Sequence, residues 1–145
     1  MSKSSLSVLG FDYGTRWIGV ATGQTLLGTA SPLKPLMARD GIPDWDEVGR
    51  VLAEWQPDVV VVGLPLNMDD SPSELSERAS KFGRRLHGRF GLEVQYWDER
   101  LSSFEAKGDI MRNRHSKDFK RESVDSLSAQ LILESWMRGR LEAGG

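Results

Sequence analysis

Four acidic side chains stand out by where they fall. Asp12 closes the apolar run 6–13 and shares a period-two row with Leu6, Val8 and Gly10, so it is the charged end of an apolar strand face. Asp98 and Glu99 follow directly on a second strand-like stretch, residues 92–97. Asp125 shares a helix face with Ala129, Ile132 and Trp136, a face that should pack on a sheet. Singly, each has a plain reading: a turn residue, a solvated loop paired with Arg100, an acid just after a Ser123 helix cap. Gathered at one place they would repel and raise one another's pKa. A divalent cation removes that cost, and Mg²⁺ or Mn²⁺ prefers oxygen ligands of this kind. Carboxylates around one or two such ions suit phosphodiester hydrolysis, where metals about 3.5–4 Å apart stabilise the attacking and leaving oxygens. That chemistry needs no protein nucleophile, and no Ser-His-Asp pattern is present.

The elements that must position these acids can be read from hydrophobic periodicity. Residues 6–13 and 17–23 are strands joined by a Gly14-Thr15 turn. A third strand around 27–36 carries Pro32 and Pro35, which argue for an edge. Ile42-Pro43-Asp44 opens a helix with Val48, Leu52 and Trp55 on one face, closed by Pro57. Residues 58–63 hold four successive valines, the mark of a strand buried on both sides in a parallel sheet. Ser71-Pro72-Ser73-Glu74 reads as a capping box with proline at the first helical position, ahead of Leu75, Ala79, Phe82 and Leu86. A fifth strand covers 92–97, Ser102-Ser103-Phe104-Glu105 caps a further helix, and a last helix spans about 123–139.

This order predicts an α/β fold of ribonuclease-H-like topology. A three-stranded antiparallel meander and two parallel strands form a mixed five-stranded sheet, with helices on both faces. Strand one lies mid-sheet beside strand four. The carboxyl ends of strands one and five and the last helix then surround one spot.

Composition narrows the alternatives. The 145 residues contain no cysteine and only His87 and His115, which excludes disulfide scaffolds, thiolate sites and a His-rich zinc site. A hydrophobic share of 39% with 28% charged residues describes a globular chain of one domain, residues 1–145. No apolar run approaches the ~20 residues of a membrane span, and the N-terminus lacks a secretory pattern, so the expected location is the cytoplasm. Lys plus Arg number 19 against 21 acids, so bulk charge names no partner.

Several blocks resemble one known family. Gly10-Phe11-Asp12-Tyr13-Gly14-Thr15-Arg16 with Ile18-Gly19-Val20-Ala21 is similar to the opening of the YqgF family, Holliday-junction-resolvase-like proteins implicated as nucleases in maturing the small-subunit ribosomal RNA precursor. Residues 62–69, Asp98-Glu99-Arg100-Leu101-Ser102-Ser103, and Asp125-Ser126 with Ala129 and 131–133 resemble its later blocks, in family order. The resemblance implies a metal-dependent nuclease, with catalytic positions at Asp12, Asp98, Glu99 and Asp125. Metal ligation falls to Asp12, to Glu99 or Asp98, and to Asp125. Alternation puts Asp98 and Glu99 on opposite faces, leaving open which one meets the ion. Asp70 stands where the family pattern suggests glycine.

Residues 112–121 hold five cations and one anion just before the Asp125 helix, a segment suited to phosphates. Arg112, Arg114, Lys117, Lys120 and Arg121, with Arg16, Asn67 and Arg100 from the matched blocks, are the candidate nucleic-acid contacts. Arg84, Arg85, His87 and Arg89 read instead as an exposed helix end. Trp55 and Trp136, at helical spacing, read as core rather than stacking platforms. The expected partner is nucleic acid, structured RNA ahead of branched DNA, for a monomer or weak dimer away from membranes. Two other classes fit parts of the chain. Asp12-Tyr13-Gly14-Thr15 matches the phosphate loop of actin-like ATPases, which need a second domain; a ribosome-assembly module could keep the fold without cleaving.

Overall fold

The computed structural model describes residues 5–69, 71–101 and 121–142, without the side chains of 121–125 and 141–142. The apolar N-terminal run forms β1 (Ser7–Asp12), which pairs antiparallel with β2 (Trp17–Gln24), itself antiparallel to β3 (Thr29–Arg39). A two-residue strand, β4 (Ile42–Pro43), folds back on Ala38 and Arg39. Then follow α1 (Trp45–Trp55), β5 (Val59–Leu64), α2 (Glu74–Phe90), β6 (Glu93–Asp98), a 3₁₀ turn (Glu99–Leu101) and α3 (Arg121–Glu142). The strand order is β4-β3-β2-β1-β5-β6, with β1, β5 and β6 mutually parallel.

The sheet therefore has six strands where five were expected. Asp40 and Gly41 take φ of 48° and 81°, turning the chain so that Ile42 and Pro43 pair with β3 instead of opening a helix. Asp44 caps α1, its carboxylate accepting from the Asp46 N–H at 3.0 Å. Because β4 covers only Ala38 and Arg39, Pro32 and Pro35 do lie on an outer edge, where a missing N–H costs no ladder bond.

Strand alternation divides the core into two layers. Leu9, Phe11, Val60 and Val62 face α1 and α2, where Val48, Leu52, Phe82 and Leu86 close the layer. Val8, Val59 and Val61 face α3, meeting Ala129, Ile132, Leu133 and Trp136. The four valines of β5 are thus divided between two covered faces, which is why no polar residue interrupts them.

Three local readings need correction. The capping box of α2 uses Ser73 and Ser76, not Ser71, because the Ser71 N–H and hydroxyl are both held by the Asp69 carboxylate. Trp55 is 37% exposed, since it is the last residue of α1 and Gln56 turns the chain away in a left-handed cap. α3 already runs from Arg121, so Ser123 lies inside the helix and does not cap it. Trp136 is core, as expected. The helix capped at 102–105, the cationic residues 112–120 and Asp70 lie outside the described residues.

Candidate active site at the carboxyl ends of the strands

β1 and β5 run parallel with Phe11 beside Val62, so Asp12 ends β1 next to Gly63 of β5. Gly63 faces α3, as Val59 and Val61 do. A Cβ there would lie 2.7 Å from Ile132 Cδ1 and 2.9 Å from both Cγ and Oε1 of Glu99. The absent side chain leaves the space into which Glu99 reaches, and its Oε1 is buried there. Glu99 stands in the 3₁₀ turn immediately after β6, so it escapes strand alternation and folds over the sheet end on the α3 side.

The register of α3 along β1 locates the third acid. Met137 packs at Gly23, which pairs with Val8; a Cβ added at Gly10 would lie 3.0 Å from Leu133 Cβ and 3.3 Å from the Ala129 carbonyl oxygen. Each step toward the helix N-terminus thus advances along β1 toward Asp12. Asp125, one turn before Ala129, brings its backbone to the sheet end where Asp12 and Glu99 lie. Its side chain is outside the described residues, and among the described ones no group of three metal-ligating side chains is formed.

A serine fixes that register. The β2–β3 ladder is interrupted between Ile18 and Val20. Into this bulge Ser126 inserts its hydroxyl, accepting from the Val20 N–H at 3.4 Å and donating to the Leu33 carbonyl. Ser126 is 1% exposed, so these bonds satisfy groups that water cannot reach. Only its neighbourhood to Asp125 could have flagged it in the sequence; the bulge partners are about a hundred residues away.

Asp98 and Glu99 have different surroundings. Both oxygens of Asp98 accept from Arg100, with Nη2 at 2.6 Å and Nε at 3.0 and 3.1 Å. The Arg100 hydrogen bonds hold its carboxyl below the usual aspartate range. Arg100 Nη1 also donates to the carbonyls of Asn67 and Met68 at 2.9 and 3.3 Å, tying the loop after β5 to the 3₁₀ turn. From the other side, Ser135 of α3 accepts from Trp97 Nε1 and donates to the Leu101 carbonyl, each at 2.9 Å. The turn that carries Glu99 is held from both directions.

Among the candidate nucleic-acid contacts, Arg16 is exposed in the turn just after Asp12, and its carbonyl accepts from the Ala38 N–H. The Asn67 side chain closes its own loop onto Ser71 and the Pro72 carbonyl. Arg100 serves the strut just described. Arg112, Arg114, Lys117 and Lys120 fall outside the described residues, as does the Arg121 side chain.

A mixed sheet that opens on an antiparallel meander, joins parallel strands and packs against a final helix defines the ribonuclease-H-like fold class. Solved structures agree on the fold. T. thermophilus RuvC in complex with a Holliday junction substrate matches with a TM-score of 0.55 and 18% identity, over 93% of this chain and 95% of that one. The yeast mitochondrial Holliday junction resolvase Ydc2 matches with a TM-score of 0.59 and 9% identity, over 94% and 80%. The chain belongs to the RuvX family, described as Holliday junction resolvase, whose model matches residues 6–139. A Marinobacter nauticus protein named "Putative pre-16S rRNA nuclease" is 59% identical over 131 residues, 90% of this chain and 92% of its own. An Aeromonas hydrophila protein of the same name is 55% identical over 134 residues, 92% and 96%. With the family comes the class of chemistry: the protein is a nuclease, a hydrolase of phosphodiester bonds.

Proposed function

We propose that the chain, acting as one domain in the cytoplasm, is a divalent-metal-dependent endonuclease that processes the small-subunit (16S) ribosomal RNA precursor. Relatives that bear that name align over nearly the whole chain, which supports this substrate over others. The observation that carries the site is the Glu99 carboxylate lying in the space left by Gly63, on the strand next to Asp12. The donors that these elements offer at the sheet end are carboxylates, the set that Mg²⁺ or Mn²⁺ takes and softer metals do not favour. Asp12, Glu99 and Asp125 are the residues that would hold the ion, with Glu99 preferred to Asp98 because Arg100 already engages both oxygens of Asp98. When bound, such an ion supplies charge neutralisation to the phosphodiester and acidity to water.

The chain's own residues do the rest. Ser126 fixes the level of Asp125 above the sheet, and Arg100 with Ser135 holds the Glu99 turn. Arg16 and the cationic residues Arg112, Arg114, Lys117, Lys120 and Arg121 grip phosphates on either side of the scissile bond, giving salt-dependent affinity. The test is cleavage of structured RNA by the purified protein with Mn²⁺, beside Asp12→Asn and Asp125→Asn. Each substitution should lower the rate by about 100-fold or more; activity that survives both removes the assignment.

A second substrate is favoured by one specific observation, the family description as Holliday junction resolvase. A four-way DNA junction belongs in the same assay. Symmetric paired nicking of it, faster than RNA cleavage, would transfer the reading to branched DNA and require a twofold dimer.

A further inference from the structure

Behind the carboxylates, on the opposite face of β1, lies a second polar feature. Tyr13 follows Asp12 and turns to the α1–α2 side, where its ring packs on Phe82 at 5.4 Å and is 6% exposed. Its hydroxyl donates to the Gly41 carbonyl at 2.7 Å. Against it opens a cavity of about 210 Å³, bounded by Asp40, Gly41 and Trp45 and by three cations of α2: Arg78, Lys81 and Arg85. Their spacing of three and four puts all three on one helix stripe.

The charge there is poorly balanced. Arg78 donates to the Asp40 carbonyl and pairs with the Asp40 carboxylate at 3.5 Å, but that carboxylate is 90% exposed. Among the described residues Lys81 and Arg85 form no ion pair. Three cations on one rim, faced by one exposed acid, set a field that attracts an anion. The volume lies below the roughly 300–1,000 Å³ of pockets that engulf a whole small molecule, so it suits a single group. The rim is also bound to the strand end: the Gly41 N–H donates to the Thr15 carbonyl at 2.8 Å, in the turn that follows Asp12.

We propose that this cavity is a phosphate subsite, in which Arg78, Lys81 and Arg85 receive one backbone phosphate of the nucleic-acid substrate as it crosses the end of β1 from the carboxylate side. The inference rests on the nuclease reading and adds to it a grip on the face of the sheet opposite the acids. The two sites stem from adjacent residues, Asp12 and Tyr13, whose Cα atoms are about 3.8 Å apart. A strand whose scissile phosphate meets carboxylates is repelled by them until an ion is bound; a cationic hold next to it offsets that repulsion.

The experiment is salt-dependent binding of a labelled, structured RNA in EDTA, where no cleavage intervenes. Lys81→Ala/Arg85→Ala is compared with the unaltered protein and with Lys81→Arg. Loss of one phosphate contact lowers the slope of log affinity against log salt by about one, so the double variant's deficit at 50 mM salt shrinks about fourfold by 200 mM. Lys81→Arg keeps the original slope. An unchanged slope in the double variant overturns the subsite while leaving the nuclease reading intact. Absence of RNA binding by the unaltered protein in EDTA overturns the subsite, whereas the nuclease reading falls only if cleavage with Mn²⁺ is absent. Inorganic phosphate, followed by Trp fluorescence, separates the two sources of the group. Competition between phosphate and RNA that disappears in the double variant supports a backbone phosphate. Phosphate binding that leaves RNA affinity untouched assigns the cavity to the free anion and overturns the substrate role.

Discussion

Gly63→Ala puts one methyl group where Glu99 now lies. The new Cβ would stand 2.7 Å from Ile132 Cδ1 and 2.9 Å from Cγ and Oε1 of Glu99, closer than carbon atoms pack in real interiors. If nothing opposed it, this exchange in a strand would stabilise the protein by about 0.4–1 kcal/mol, by restricting the unfolded chain. Overpacking instead costs about 1–3 kcal/mol, so the sign alone is informative. At about 4 °C per kcal/mol for a domain of this size, the melting temperature should fall by about 4–12 °C. Two of the three contacts belong to Glu99. Adding Glu99→Ala removes them and leaves only the end of a flexible Ile132, so the double variant should be less destabilised than the sum of the single ones, by about 0.5–3 kcal/mol. Thermal unfolding of the four proteins measures that coupling. Cleavage of structured RNA at a temperature where Gly63→Ala is fully folded measures the displacement of the carboxylate, and the rate should fall toward that of Glu99→Ala. Additive destabilisation, or a normal rate in folded Gly63→Ala, would refute the placement of Glu99.

Ser126→Ala leaves the Leu33 carbonyl and the Val20 N–H at the bulge without their hydroxyl; we expect about 1–3 kcal/mol of lost stability in denaturant melts, with a fall in activity beyond the unfolded fraction. Arg100→Gln should cost about 1 kcal/mol or less, since the pair is partly exposed. Asp98 has a lowered pKa in the folded protein, so its contribution is present above the ordinary aspartate value and disappears as pH falls through the lowered one. The difference in melting temperature between Arg100→Gln and the unaltered protein should therefore be constant above about pH 5 and shrink below about pH 4. A gap that widens on acidification would contradict the strut. Asp98→Asn should reduce activity less than Glu99→Gln, as a loss of loop positioning and not of a ligand.

The strands and their order were legible because their causes are local and periodic. Four valines can be buried on both faces only inside a sheet, and the Ala129–Ile132–Trp136 stripe could only be a packed helix face. β4 was not legible: two residues carry no period, and the strand exists because Asp40 and Gly41 both adopt positive φ. Ser71 and Ser73 offer the same capping chemistry, and Asp69 decides between them by holding the first. At the proposed site, Asp12 and Asp125 stand out in the sequence as charges ending apolar rows. The different surroundings of Asp98 and Glu99 were not legible, because alternation stops at Asp98 and Glu99 belongs to a 3₁₀ turn. Gly63 and Ser126 serve contacts distant in sequence, with Glu99 and with the β2–β3 bulge, so their types are visible in one chain but not their reasons.

The central claim is that Asp12, Glu99 and Asp125 together hold a divalent ion while Asp98 does not. Mn²⁺ binding, followed by the loss of the free-ion electron paramagnetic resonance signal, tests it without any substrate. Asp12→Asn, Glu99→Gln and Asp125→Asn should each weaken binding by about tenfold or more, and Asp98→Asn should stay within a few-fold of the unaltered protein. Equal weakening by all four, or unchanged binding in Asp12→Asn, would contradict the account.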